Sequence, residues 1–430
     1  MLRTALLTAT AALVLVACSG KDHGASPPPA QGSDAATTPT AAPPSKATVL
    51  ATWVRPHGNE LYWAHARTLA PTGGHSLVVP YLTSSAERSP DGKTLALGVG
   101  DKGVVQFVTA KRLHSLGPVY VGSASVQRLL WVAPRRLLVS LGGQPARVAV
   151  VDPVSGNVSD KRKLSGITVS AAPAGDALAL LVAPASGIGP ASLAVYDGER
   201  LRTTGLPGIP AGWSQDAVEG EDDPHLRQSV PGLAVEPAGD RAVVVAAGDR
   251  AVDVDLGTMA VREHDLSEPV SLLERLRDWI EPTAEAKSMD GPDRVALWLP
   301  GGLVAVSGAH WTTDGSDIDA TPAGLVLIDP SDWSVSRVSD ESSTLNFTNG
   351  TLVASGYRPG SAEQTLTAFD DRGRWRFSLV RDNADLSQVE GGYLYAGRND
   401  GRRYEIVDLR TSATVRKVRL ARSTWIVPVG

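Results

Sequence analysis

The sequence predicts an all-β protein assembled from repeated four-stranded units. Three observations predict it. A short Pro/Gly turn recurs between apolar strands, a strand ending in aspartate recurs after each turn, and the pair returns about every 40 to 48 residues. Units of that length arranged in a ring are the blades of a β-propeller.

The turn is clearest in Ser89-Pro90-Asp91-Gly92, followed by the apolar run Thr94 to Leu97. Proline presets one turn position and glycine supplies positive φ at another. Further copies are Ala172-Pro173-Ala174-Gly175 and Glu236-Pro237-Ala238-Gly239. Weaker ones surround Pro56-His57-Gly58, Pro134-Arg135-Arg136, Pro300-Gly301-Gly302, Thr348-Asn349-Gly350 and Glu390-Gly391-Gly392. From Gly58 through Gly92, Gly175, Gly239, Gly302, Gly350 and Gly392 the steps are 34, 83, 64, 63, 48 and 42. The step of 83 holds two units, because the Pro134 copy has no glycine, and those of 64 and 63 each contain an insertion.

The aspartate strand recurs as Val148 to Asp152, Leu193 to Asp197, Val252 to Asp255, Leu325 to Asp329, Leu366 to Asp370 and Tyr404 to Asp408. A polar, alternating strand follows it, as in Asn157 to Leu164 and Thr414 to Leu420. Inner strand, turn, apolar strand, strand-Asp-turn and outer strand make one blade. Eight turn copies predict eight blades, with seven as the alternative. The first unit is one strand short, and the terminal Ser423 to Val429 is expected to complete it and close the ring. These motifs resemble the TolB-type and other WD-repeat-like bacterial propellers, whose blades carry a similar Ser-Pro-Asp-Gly turn. The likeness covers nearly all of 47–430 and implies a fold rather than an activity.

Ahead of the repeats, Ala5 to Val16 is apolar apart from Thr8 and Thr10, behind the positive start Met1-Leu2-Arg3. That is the length of a signal h-region and too short to span a bilayer. Leu15-Val16-Ala17-Cys18 resembles the lipobox of bacterial lipoproteins. The resemblance implies cleavage before Cys18, the single cysteine of the 430 residues, and lipid on its sulfur. Residues 1–17 are then the signal peptide. Residues 18–46 are the lipidated cysteine and a Pro/Ala/Ser/Thr tether without the apolar surface to fold. Residues 47–430 are the propeller. The expected location is the extracytoplasmic side of the cell membrane, held there by the lipid on Cys18.

The chain carries 41 Lys and Arg against 46 Asp and Glu, a net charge of −5. That balance argues against a nucleic-acid partner and against a polybasic membrane patch. No Gly-x-Ser-x-Gly elbow, His-Glu-x-x-His or phosphate-cradling Gly-x-x-x-x-Gly-Lys-Ser/Thr loop occurs. No cofactor is expected, and no catalytic residue can be named.

Three segments stand out as candidate sites. The insertion 205–229 holds Asp216, Glu219, Glu221, Asp222, Asp223 and His225, which read as a solvated acidic loop or, alternatively, calcium ligands. The insertion 267–288 reads as a helix, capped by Ser271 with Glu274 and carrying the stripe Leu272, Leu273, Leu276, Trp279 and Ile280. It is expected to pack on the propeller's flank or to dock a partner. Asp314, Asp317 and Asp319, beside His310 and Trp311, lack the alternate-Asp spacing of a metal loop. His57 and His65 bracket a strand and are expected at the surface. The function expected is a lipid-anchored binding or scaffold module for a protein or envelope partner, reached through 205–229 or 267–288. The alternative is a propeller hydrolase or lactonase-like enzyme with a metal or acid–base site at the channel mouth.

Overall fold

The inner strand of the first blade comes from the end of the chain. In the computed structural model, β1 (Thr48–Arg55), β2 (Gly58–His65) and β3 (Leu77–Val79) form a sheet whose fourth strand is the C-terminal segment, and that strand pairs with β1. Residues 48–429 are described, except 85, 217–224, 247–249, 267–288, 315–316, 358–362, 383–385 and 399.

Blade 2 is β4 (Glu87–Arg88), β5 (Thr94–Val99), β6 (Gly103–Thr109) and β7 (Ser115–Gly122). Blade 3 is β8 (Val126–Ala133), β9 (Arg136–Leu141), β10 (Arg147–Val151) and β11 (Val158–Lys163). Blade 4 is β12 (Gly166–Ala174), β13 (Ala177–Pro184), β14 (Gly187–Tyr196) and β15 (Leu201–Asp216). An extra strand, β16 (His225–Ser229), leads into blade 5, which is β17 (Gly232–Val235), β18 (Arg241–Val245), β19 (Arg250–Asp255) and β20 (Val261–Asp265). Blade 6 is β21 (Met289–Trp298), β22 (Val304–Asp314), β24 (Leu325–Ile328) and β25 (Val335–Ser339), with β23 (Asp317–Pro322) as a side hairpin on β22. Blade 7 is β26 (Thr344–Thr348), β27 (Thr351–Tyr357), β28 (Glu363–Asp370) and β29 (Trp375–Asp382). Blade 8 is β30 (Leu386–Glu390), β31 (Tyr393–Gly397), β32 (Arg403–Asp408) and β33 (Thr414–Arg419), and the chain ends with β34 (Thr424–Val427) in blade 1.

The ring therefore has eight blades and not seven. One of the eight turn copies, however, has a different place. Pro56-His57-Gly58 joins the second and third strands of blade 1, whereas the other seven join first to second. Blade 1 has no first-to-second turn, because both chain ends meet there. The short step of 34 residues follows from this.

Each turn copy is held by local hydrogen bonds. In blade 2 the Ser89 hydroxyl donates to Asp91 Oδ1 at 2.7 Å and accepts from the Thr94 N–H at 2.9 Å, while Gly92 takes φ +70°. The strand-ending aspartates turn the chain with their side chains. Asp152 Oδ1 accepts the N–H groups of Val154 at 2.8 Å and Ser155 at 3.3 Å. Asp197 does the same with Glu199 and Arg200, Asp370 with Arg372 and Arg374, and Asp408 with Arg410 and Thr411. The recurring aspartate is thus an Asx turn between third and fourth strands.

The core lies between the blades. Among the described residues, eight apolar clusters fill the eight seams, including the one that closes the ring between blades 8 and 1. That last seam contains Val49, Ala51, Tyr62, Tyr393, Tyr395, Tyr404, Ile406 and Ile426. Its tyrosines reach across: Tyr395 Oη donates to the Ala66 carbonyl at 3.0 Å, and Tyr404 Oη to that of Thr424. Gln388 clasps the terminal strand, donating to Ile426 O at 3.0 Å and accepting from Ile426 N at 2.9 Å.

Candidate partner-binding face

In this ring, first-to-second and third-to-fourth turns lie on one face, and second-to-third and blade-to-blade connections on the other. The strand extensions of blades 4 to 6 gather on that second face. Strands β14 and β15 run beyond their blade, pairing Gly187 with Trp213 and Pro190 with Pro210. Strand β16 folds back antiparallel to β15, from Gly212↔Ser229 to Asp216↔His225. It then pairs in parallel with the start of β21, at Leu226↔Met289 and Arg227↔Asp290. Strand β22 continues the sheet to Trp311, opposite Gly291, and β23 pairs along it as far as Asp314↔Asp317.

The result is one ten-stranded sheet that joins blade 4 to blade 6 past blade 5. Two further backbone bonds fasten it, Val230 N to Pro292 O at 3.0 Å and Arg294 N to Val230 O at 2.8 Å. The approach is so close that glycine is required. A Cβ on Gly291, at φ +130°, would lie 1.9 Å from the Gln228 carbonyl oxygen.

The buried Arg294 and the half-buried Asp293 lie next to each other under this bridge. Burial pushes the Asp293 carboxyl up, opposed by the Arg294 charge and by the Trp311 side chain donating to it. Burial pushes the Arg294 guanidinium down to about 9, so it stays protonated at neutral pH. Arg294 Nη1 donates to the Asp293 carbonyl at 2.9 Å, which fixes its position. Its desolvation makes Arg294 costly to leave unpaired.

The structure revises the candidate segments accordingly. The expected loop 205–229 is mainly sheet: 205–216 continues β15 and 225–229 is β16. Glu219, Glu221, Asp222 and Asp223 lie outside the described residues, as do the expected helix 267–288 and Cys18. Among the described residues there is no helix at all, and none long and apolar enough to cross a membrane. Asp314 and Asp317 are backbone register partners at the turn end of the β22–β23 hairpin, and Asp319 lies further along β23 opposite Thr312. His57 and His65 are exposed.

Two inner-strand carboxylates were missed in the sequence. Burial pushes Glu87 up, opposed by Arg128 at 3.7 Å, and likewise Glu390, which accepts the Val429 N–H at 3.4 Å. Glu87 opens the short inner strand β4 with no motif to mark it, and Glu390 closes β30 inside a turn copy whose glycines mark the turn and not a buried carboxyl. No group of three or more His, Cys, Asp or Glu arranged to hold a metal occurs among the described residues.

No family model and no curated protein sequence matches this chain. Solved structures do resemble it. The dihydro-heme d1 dehydrogenase NirN in complex with DHE aligns at a TM-score of 0.55 and 11% identity, over 87% of this chain and 74% of that one. Sqt1 of Saccharomyces cerevisiae aligns at a TM-score of 0.50 and 11% identity, over 80% and 86%. At such identities the likeness is one of fold, and it carries no activity across.

Proposed function

We propose that this chain is a lipid-anchored, extracytoplasmic binding module that presents the bridged face of blades 4 to 6 to a protein or envelope partner. The observation that carries the proposal is the sheet joining blade 4 to blade 6. A propeller already buries its core in eight seams, so a second layer of pairing on one face adds rigidity where a partner would dock. The Leu15 to Cys18 motif supplies the anchor, and the segment 19–46 the reach.

The test is affinity purification of the chain from intact membranes, compared with a variant lacking 217–224. Removing the whole of 205–229 would destroy β15 and confuse misfolding with lost binding. The narrower deletion is expected to release the partner while leaving the melting profile unchanged. Retention of the same partner by that variant and by one lacking 267–288 would refute the assignment of the face.

A further inference from the structure

The charge of the whole chain conceals a strongly basic region at the closing seam. Residues 398–422 carry eight arginines and lysines against Asp400, Glu405 and Asp408, in a protein whose net charge is −5. Four of those cations, Arg416, Lys417, Arg419 and Arg422, line a cleft of about 630 Å³ between the outer strand of blade 8 and blade 1. Its apolar side is built from Trp53, Tyr62 and Leu420, and no carboxylate lines it. The volume suits a small organic molecule.

The cations differ in how they are held. Arg422 lies over the Trp53 ring at 4.8 Å and 3.8 Å from Glu60, and Trp53 packs on Tyr62 with ring centres 4.3 Å apart. Glu60 is itself shared with Arg55 and Ser76, so Arg422 is positioned without being neutralised by a private partner. Lys417 lies 4.0 Å from Glu405. Arg416 and Arg419 have no ion-pair partner among the described residues. Guanidinium groups present forked donors that match the oxygens of a phosphate.

Charged side chains on an outer strand also serve to block edge-to-edge pairing. Strand β11 shows that use by itself: Lys161, Arg162 and Lys163 are exposed on the outer strand of blade 3, and none of them lines this cleft. The closing seam adds the cavity, the aromatic wall and the pre-positioned arginine. We infer that this cleft binds an organic phosphate, with the phosphate oxygens on Arg416 and Arg422 and the organic part against Trp53, Tyr62 and Leu420. The inference stands on the cleft and does not rest on the anchor or on the bridged face.

The test uses the full chain carrying Cys18→Ser, so that no acyl chain contributes. Glycerol 3-phosphate is titrated by calorimetry, and sedimentation is measured with phosphatidylglycerol/phosphatidylcholine vesicles against phosphatidylcholine alone. Binding of the soluble ester identifies a free organic phosphate. Binding confined to the anionic vesicles identifies a lipid headgroup. In either case Arg416→Gln with Arg422→Gln is expected to weaken binding at least tenfold, and Lys161→Gln with Lys163→Gln less than twofold. All four substituted side chains are exposed, and unchanged melting confirms the fold. Absence of binding in both arms, or equal loss in the two double variants, would overturn the inference.

Discussion

Ile426→Ala tests how the ring is closed. Ile426 is 2% exposed, in the seam that also holds Val49, Ala51, Tyr395 and Ile406. Its backbone is held by Gln388 and its strand pairs with β1, so the seam cannot collapse freely around a hole. Losing the outer carbons of the side chain at about 0.8 kcal/mol each removes roughly 2.5 kcal/mol of transfer free energy. The residual cavity raises the total to about 3–4 kcal/mol. Ile188, on the β14 extension at 37% exposure, is the control: scaled to its partial burial, the same three carbons should cost about 1.5 kcal/mol and leave no closed cavity. Urea unfolding followed by tryptophan fluorescence measures both. If Ile426→Ala costs less than about 1 kcal/mol, or no more than Ile188→Ala, the terminal strand does not close the ring.

Gly291→Ala should separate β16 from β21, because the new Cβ meets the Gln228 carbonyl. Amide exchange at Val230 and Arg294 is expected to accelerate while that at Val243 is unchanged; protection at all three would refute the bridge. Acid stability should follow the Asx turns. Arg135 and the N–H of Val154 hold the Asp152 carboxyl down to about 2, and the Thr258 N–H lowers Asp255. For Asp197 and Asp370 burial acts in the opposite direction but is outweighed by the donated N–H groups. A lowered carboxyl stabilises the fold above its unfolded value near 4, and the benefit is lost as pH falls through the folded value. Urea midpoints should therefore decline from about pH 4 to pH 2, and Asp152→Ala should lower the midpoint at pH 7 while flattening that decline. A decline as steep as the parent's would count against this origin. Cys18→Ser should leave the melting profile unaltered and move the chain from the membrane fraction to the soluble one; an unfolded variant would mean that the cysteine is structural.

The blades were legible because their signals are local. A glycine with positive φ and an aspartate two residues before its N–H partner are fixed by a few adjacent positions, so Gly92, Asp152 and Asp370 announce themselves. Pro56-His57-Gly58 carries the same composition at a different joint, because turn chemistry does not record which strands it connects. The bridge was illegible for another reason. The Gly- and Pro-rich run from Gly205 to Gly212 looks like a loop, and its strand character depends on pairing with Gly187 to Pro190 and with Gln228 and Ser229. The parallel contact of Arg227 with Asp290 joins residues separated by a whole blade, which no periodicity reports. The cationic cleft was hidden by averaging, since a net charge of −5 says nothing of eight basic residues between 398 and 422.

On the proposed function, the bridged face meets the partner while the chain is tethered to a membrane. A photo-crosslinking residue at position 227, exposed on β16, and one at position 411, exposed on a third-to-fourth turn of the opposite face, test it in intact membranes. A specific adduct is expected from position 227 and none from 411. An adduct from 411 alone, or equal adducts from both, would contradict the proposal.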